Sequence, residues 1–133
     1  MIIRSGRFVL LPLLLLLSPA PTAADDSFPF GSTLMLDAAP MRGSKRVPML
    51  EIAEDGGATI DLWCASTRAQ AVVSDHSISI APGDVRDAQC EPDRQSRDAE
   101  LLTALGQVTN WRRNGDLVEL LGATPLRFRL MTN

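Results

Sequence analysis

Thr109-Asn110-Trp111-Arg112-Arg113-Asn114-Gly115-Asp116-Leu117-Val118-Glu119-Leu120-Leu121 carries the clearest structural signal in the chain. Two runs of period-two alternation flank Asn-Gly, the residue pair favoured in type I′ hairpin turns because both loop positions take positive φ. With Asn114 and Gly115 as the loop, Arg113 faces Asp116 and Trp111 faces Val118. Trp111, Val118 and Leu120 then share an inner face, while Arg112 and Glu119 share the outer one. Gly122-Ala123-Thr124-Pro125 turns the chain again. A last strand follows, with Leu126, Phe128 and Leu130 inward and Arg127 and Arg129 outward.

Upstream, the spacing predicts one helix over residues 94–108. Leu101, Leu102, Leu105 and Val108 recur at i, i+1, i+4 and i+7 and form one apolar stripe. Asp93 or Ser96 can cap its start, and Asp98 and Glu100 suit the positive end of its dipole. Gly106 weakens the last turn. Before the helix, residues 85–95 form a polar loop containing Cys90 and Pro92. Two further hairpins precede it. Residues 70–74 and 77–81 turn at Ser74-Asp75-His76-Ser77, with Ala71, Val73, Ile78 and Ile80 inward, and Pro82-Gly83-Asp84 ends the second strand. Residues 49–53 and 58–64 turn at Glu54-Asp55-Gly56-Gly57, with Leu50, Ile52, Ile60, Leu62 and Cys64 inward. Alternation then places Trp63 on the opposite face with Thr59 and Asp61. Leu34-Met35-Leu36 reads as a short first strand in an otherwise irregular, proline-containing segment. The expected architecture is α+β: a small curved antiparallel sheet of about seven strands, barrel-like, with one helix covering an open face or mouth.

The amino terminus predicts export. Arg4 and Arg7 precede an apolar stretch from Phe8 to Leu17, broken by Ser18, Pro19 and Pro21. Thr22-Ala23-Ala24 supplies small residues before Asp25, the layout of a cleavable signal peptide cut after Ala24. The stretch is shorter than the roughly 20 residues a membrane-spanning helix needs. No cysteine stands at the boundary to carry a lipid. The chain therefore divides into a signal peptide (1–24), an irregular segment (25–46) and a domain core (47–133), with a periplasmic or secreted location. Without Arg4 and Arg7, 11 basic residues face 16 acidic ones, a net charge of −5. That balance argues against nucleic acid and against anionic membrane surfaces, and fits a soluble monomer.

Both cysteines, Cys64 and Cys90, lie after the expected cleavage point. In an exported chain such a pair most simply forms one disulfide. The loop closed would contribute about 3–3.5 kcal/mol on a chain-entropy estimate. A zinc site is the alternative, but it needs about four ligands and His76 is the one remaining histidine or cysteine. A redox pair would more typically read Cys-x-x-Cys.

No other constellation carries chemistry with comparable weight. Asp75 and His76 with Ser74 and Ser77 suggest a hydrolase, but catalytic triads converge from separate elements rather than from one turn. Asp84, Asp87, Glu91 and Asp93 around Cys90 suggest calcium, but lack the order of a calcium-binding loop, and Arg86, Arg94 and Arg97 can neutralise them. Arg42, Lys45 and Arg46 read as a solvated basic loop, with an anion or partner contact as the sharper reading. The outward Arg112, Arg127 and Arg129 are candidate partner contacts, or pair across strands with Glu119. Trp63 is either covered by the proline-rich amino-terminal segment or open to a partner. There is no phosphate-binding glycine motif and no tyrosine, so no nucleotide, flavin or other cofactor is expected.

The order of these features resembles the META domain family, the fold of the HslJ-type heat-shock-inducible proteins of bacterial envelopes. The resemblance rests on Cys90, the helix Asp98-Ala99-Glu100-Leu101-Leu102-Thr103-Ala104-Leu105, then Val108, Trp111, Asp116-Leu117-Val118-Glu119-Leu120 and Leu126-Arg127-Phe128. The family's Gly-Cys-Asn step is here Trp63-Cys64-Ala65, and its Thr-x-Met-Ala run is Arg86-Asp87-Ala88-Gln89. The resemblance implies a curved sheet with one helix, an envelope location, stress or maintenance roles, and no agreed enzymatic activity. The expected protein is non-catalytic and binds an envelope protein or a small ligand. The alternative is a proteinaceous inhibitor of an envelope or host hydrolase, inserting residues 85–92 or 42–46 into its target.

Overall fold

Period-two alternation becomes eight strands in the computed structural model, which describes residues 6, 8–19, 26–86 and 89–132. They are β1 (Leu34–Leu36), β2 (Met49–Ile52), β3 (Gly57–Asp61), β4 (Ser66–Val73), β5 (Ile78–Pro82), β6 (Val108–Asn114), β7 (Leu117–Gly122) and β8 (Leu126–Leu130), with α1 (Pro92–Gly106) between β5 and β6. All pair in one antiparallel sheet in the order β5-β4-β3-β2-β1-β8-β7-β6. The three-residue β1 joins the two halves: Leu34 lies opposite Leu50 of β2 and opposite Leu130 of β8.

The sheet curls until its two edges touch. Ser77, just ahead of β5, forms an isolated bridge with Asn110 of β6. The Trp111 backbone N–H donates to the His76 carbonyl at 3.1 Å, and the Asn110 side-chain amide donates to the same oxygen at 3.2 Å. The Trp111 indole N–H donates to the Ser74 carbonyl at 2.8 Å. The result is a nearly closed barrel. Helix α1 packs against β5 and ends one residue ahead of β6, at the open part of the seam.

Inward positions fill the interior. Leu34, Leu50, Ile52, Ile60, Leu62, Leu105, Val118, Leu120 and Phe128 are essentially inaccessible, and each such side chain contributes about 1.5–3 kcal/mol by leaving water. Leu101, Ala104 and Leu105 are the apolar face that α1 adds to this core. Phe28 meets Trp111 edge-to-face at 5.2 Å between ring centroids, a favoured aromatic geometry. Phe28 of the amino-terminal segment thus covers Trp111.

Several boundaries differ from the sequence expectation. Strand β3 stops at Asp61, so alternation does not extend to Trp63 and Cys64. Strand β4 begins at Ser66, four residues early, because Thr67, Ala69 and Ala71 form one buried row. The β6–β7 hairpin pairs Asn114 with Leu117 and Trp111 with Leu120. Its loop is Gly115-Asp116, with Gly115 at φ 61°, the glycine-first arrangement of a type II′ turn. The register moves by two, so every side chain keeps its expected face. Helix α1 starts at Pro92 after Glu91, with no side-chain cap from Asp93 or Ser96.

Residues 8–19 are exposed and lie in no helix or strand. Arg4, Arg7 and the expected cleavage point after Ala24 lie outside the described residues. No described helix is long and apolar enough to cross a membrane.

Candidate functional site

The β3–β4 connection is fastened from both sides by side chains distant in sequence. Leu62 N–H donates to the Ala65 carbonyl at 2.9 Å, leaving Trp63 and Cys64 as a two-residue loop. In an ordinary hairpin turn the Ala65 N–H would return to the Leu62 carbonyl. Here each of those groups has a charged side chain as its partner. Ala65 N–H donates to Asp98 Oδ2 at 2.9 Å and Cys64 N–H donates to Asp98 Oδ1 at 3.2 Å. Arg46 Nε donates to the Leu62 carbonyl at 2.8 Å and Arg46 Nη2 to the Ala65 carbonyl at 3.0 Å. A carboxylate on the N–H side and a guanidinium on the carbonyl side hold the turn open, and charge assistance strengthens both sets of bonds. Arg46 is therefore a turn clamp, where a solvated loop residue was expected.

Cys64 of this turn is bonded to Cys90, with 6.0 Å between their Cα atoms. The expected staple between a strand end and the segment before the helix is present, and neither cysteine is free. Asp98 supplies a second, non-covalent staple between the same turn and α1. It is 4% exposed, where the sequence suggested only a charge suited to the positive end of the helix dipole. The overlooked signal is its spacing: Asp98, Leu101, Leu102 and Leu105 stand at i, i+3, i+4 and i+7, which puts a carboxylate on the apolar stripe. A buried carboxylate demands donors, and the turn provides two.

Trp63 is only 5% exposed, so its ring is not an open partner contact. Of the two readings, covered or open, the covered one holds; alternation had put it on the outer face, but the strand ends at Asp61 and the two-residue turn redirects its side chain. The guanidinium of Arg97, from α1, lies 5.2 Å from the ring centroid, within cation–π range. The remaining candidates lie elsewhere on the sheet. Arg112 donates to Glu119 at 2.8 Å, and Arg127 approaches the same carboxylate at 4.0 Å. Arg129 meets Asp37 at 3.4 Å. Arg127 and Arg129 sit on β8, separated from β3 by β2 and β1, and Arg112 sits on β6 at the opposite edge of the strand order, so they form no common site with Trp63. The cross-strand pairing with Glu119 is the one the register had suggested.

Beside the disulfide is a cleft of about 270 Å³ where the turn, the segment after β5 and α1 meet. Its walls are Ala65, Val85, Cys90, Ala99 and Leu102, with Arg86, Gln95 and Asp98 as polar members. That size suits one side chain or a small apolar group rather than a large cofactor. Both Asp98 oxygens are occupied by backbone N–H groups, so the carboxylate serves structure here. A second hollow, about 470 Å³, lies over the seam against Phe28, Phe30, Val73 and Trp111. His76 borders it from an exposed turn in which the Ser74 and Ser77 hydroxyls bond each other. Among the described residues no group of three or more histidines, cysteines, aspartates or glutamates converges as a metal site; Asp87 of the acidic loop lies outside them.

Compared with known proteins, residues 32–132 match the family model described as META domain. No curated protein and no solved structure shows a significant match.

Proposed function

Because the chain belongs to the META domain family, we propose that it is an exported, non-catalytic domain that works by recognition in the cell envelope. The observation that carries this reading is the doubly fastened turn beside an apolar cleft. The Cys64–Cys90 bond suits an oxidising compartment, as does the apolar stretch near the amino terminus. Asp98, the one buried carboxylate there among the described residues, is committed to backbone donors, so the cleft offers a shaped apolar surface rather than an activated group. The partner is an envelope protein or a small ligand that inserts an apolar group between Val85 and Leu102, with Arg86 at the rim.

Photo-crosslinking in living cells tests the proposal. A photoreactive residue at position 102 captures a discrete envelope partner, and one at position 112, on the paired outer face, does not. Capture from position 112 alone would move the binding surface to the arginine face. Assays against lysozyme-type and protease targets complete the test. Tight inhibition there, lost in a Val85→Arg variant, would replace general recognition with hydrolase inhibition.

A further inference from the structure

The two ends of the disulfide are anchored very differently. Cys64 sits in a turn that Asp98, Arg46 and the Leu62–Ala65 bond hold without any help from sulfur. Cys90 leads into the start of α1, which is poorly secured. Of residues 91–97, only Arg94 is even half-buried, and the first buried residue of the helix is Asp98. The helix has no side-chain cap, and its first turn is held by the Gln95 N–H donating to the Glu91 carbonyl at 2.9 Å; helix ends of this kind fray. Arg94 reaches the Gly43 carbonyl only at 3.4 Å, and Arg97 contributes its position over Trp63. Upstream, the chain is pinned to β4 by Gly83 and Arg86, whose N–H groups donate to the Arg68 and Ser66 carbonyls at 2.7 and 3.1 Å. Between Arg86 and Asp98, the sulfur bond is the one covalent tie to the sheet.

We infer that Cys64–Cys90 is a redox tether that controls order in the first two turns of α1, and with it the helix-side wall of the cleft. The inference rests on the reading of that cleft as the binding site. A thioredoxin-class dithiol protein supplies the reductant. Its thiolate attacks one sulfur of the Cys64–Cys90 bond and displaces the other as a thiolate. Its second thiol then resolves the mixed disulfide. Two electrons and two protons pass to this chain, which ends with two thiols, and the donor ends with a disulfide. Both cysteines are half-buried rather than enclosed. After reduction, residues 91–97 detach and carry Gln95 and Cys90 away from the cleft, while Asp98 keeps the rest of α1 on the turn.

Backbone ¹⁵N relaxation on the purified protein, oxidised and then reduced in place with a phosphine, tests this without any ligand. On reduction, order parameters of residues 93–97 fall from about 0.85 to below about 0.6, the range of flexible backbone. Those of Leu101, Leu105, Ile60 and Val118 stay near about 0.85. A Cys90→Ser variant shows the same pattern. Unchanged order at 93–97 after reduction would overturn the tether. So would collapse of the whole spectrum on reduction or in Cys90→Ser, which would make the disulfide a global staple. Local release without any partner captured from position 102 would retain the tether and remove the binding reading.

Discussion

Asp98 and Arg46 do at the residue level what neither local propensity nor alternation announces. Between them they take up both halves of a hydrogen bond that the Leu62–Ala65 turn gives up. Removing Asp98 would strand the Ala65 N–H in a buried site and weaken the Cys64 N–H. An Asp98→Ala variant should therefore lose about 2–4 kcal/mol in chemical denaturation, at the cost typical of unsatisfied donors once bonded to a charge. Asp98→Asn, which keeps one acceptor, should lose less. Arg112→Ala should change stability by about 0–1 kcal/mol, because its pair with Glu119 is held at a largely exposed side chain. A thermal or denaturant series that ranked Arg112 above Asp98 would contradict this ordering. Asp98 was legible in principle, as a charge on an apolar stripe. Trp63 was not, because its burial depends on the strand ending at Asp61 and on a helix side chain arriving from 34 positions downstream.

Strands with one buried face were readable as elements, and their ends were not. The inward rows of β2, β3, β5, β7 and β8 follow directly from Leu50, Ile60, Ile78, Val118 and Phe128. The first half of β4 escaped because its inward residues are Thr67 and Ala69, small side chains that give no hydrophobic contrast with Arg68 and Gln70. Thr67 is tolerated there because its hydroxyl lies within hydrogen-bonding distance of the Gly83 and Asp84 carbonyls. The β6–β7 hairpin shows how turn chemistry and register separate. Asn114-Gly115 signalled a hairpin correctly, yet only Gly115 takes positive φ, and the loop shifted by one residue. Two glycines in this hairpin should respond differently to alanine. At Gly122 a Cβ would meet the Gln107 carbonyl oxygen at 2.5 Å and Val108 Cα at 2.9 Å, so Gly122→Ala should cost about 1–3 kcal/mol through overpacking. At Gly115 there is open space but φ is +61°, so Gly115→Ala should cost about 1–2 kcal/mol from backbone strain alone. Melting curves of the two variants check both values, and a neutral Gly122→Ala would show that the helix-to-strand junction yields.

At the level of the whole molecule, topology was the part hidden from the sequence. Local periodicity cannot reveal that Leu34–Leu36 sits between β2 and β8, because the pairing of Leu34 with Leu130 joins the first strand to the last. The same long-range closure brings Ser77 to Asn110 and makes a curled sheet into a nearly closed barrel. Fold class and the Cys64–Cys90 pairing were nonetheless within reach, since one helix, a run of short hairpins and two cysteines leave few arrangements. The Cys64–Cys90 disulfide lies next to the candidate cleft and is compatible with the proposed export to an oxidising compartment. That export is tested most directly by intact mass spectrometry of the natively expressed protein, recovered from the envelope fraction and treated with an alkylating agent before and after reduction. The account predicts a chain that begins at Asp25, takes up no label before reduction and takes up two labels after it. A chain that keeps Arg4 to Ala24, remains in the cytoplasm and alkylates at Cys64 and Cys90 without reduction would contradict it.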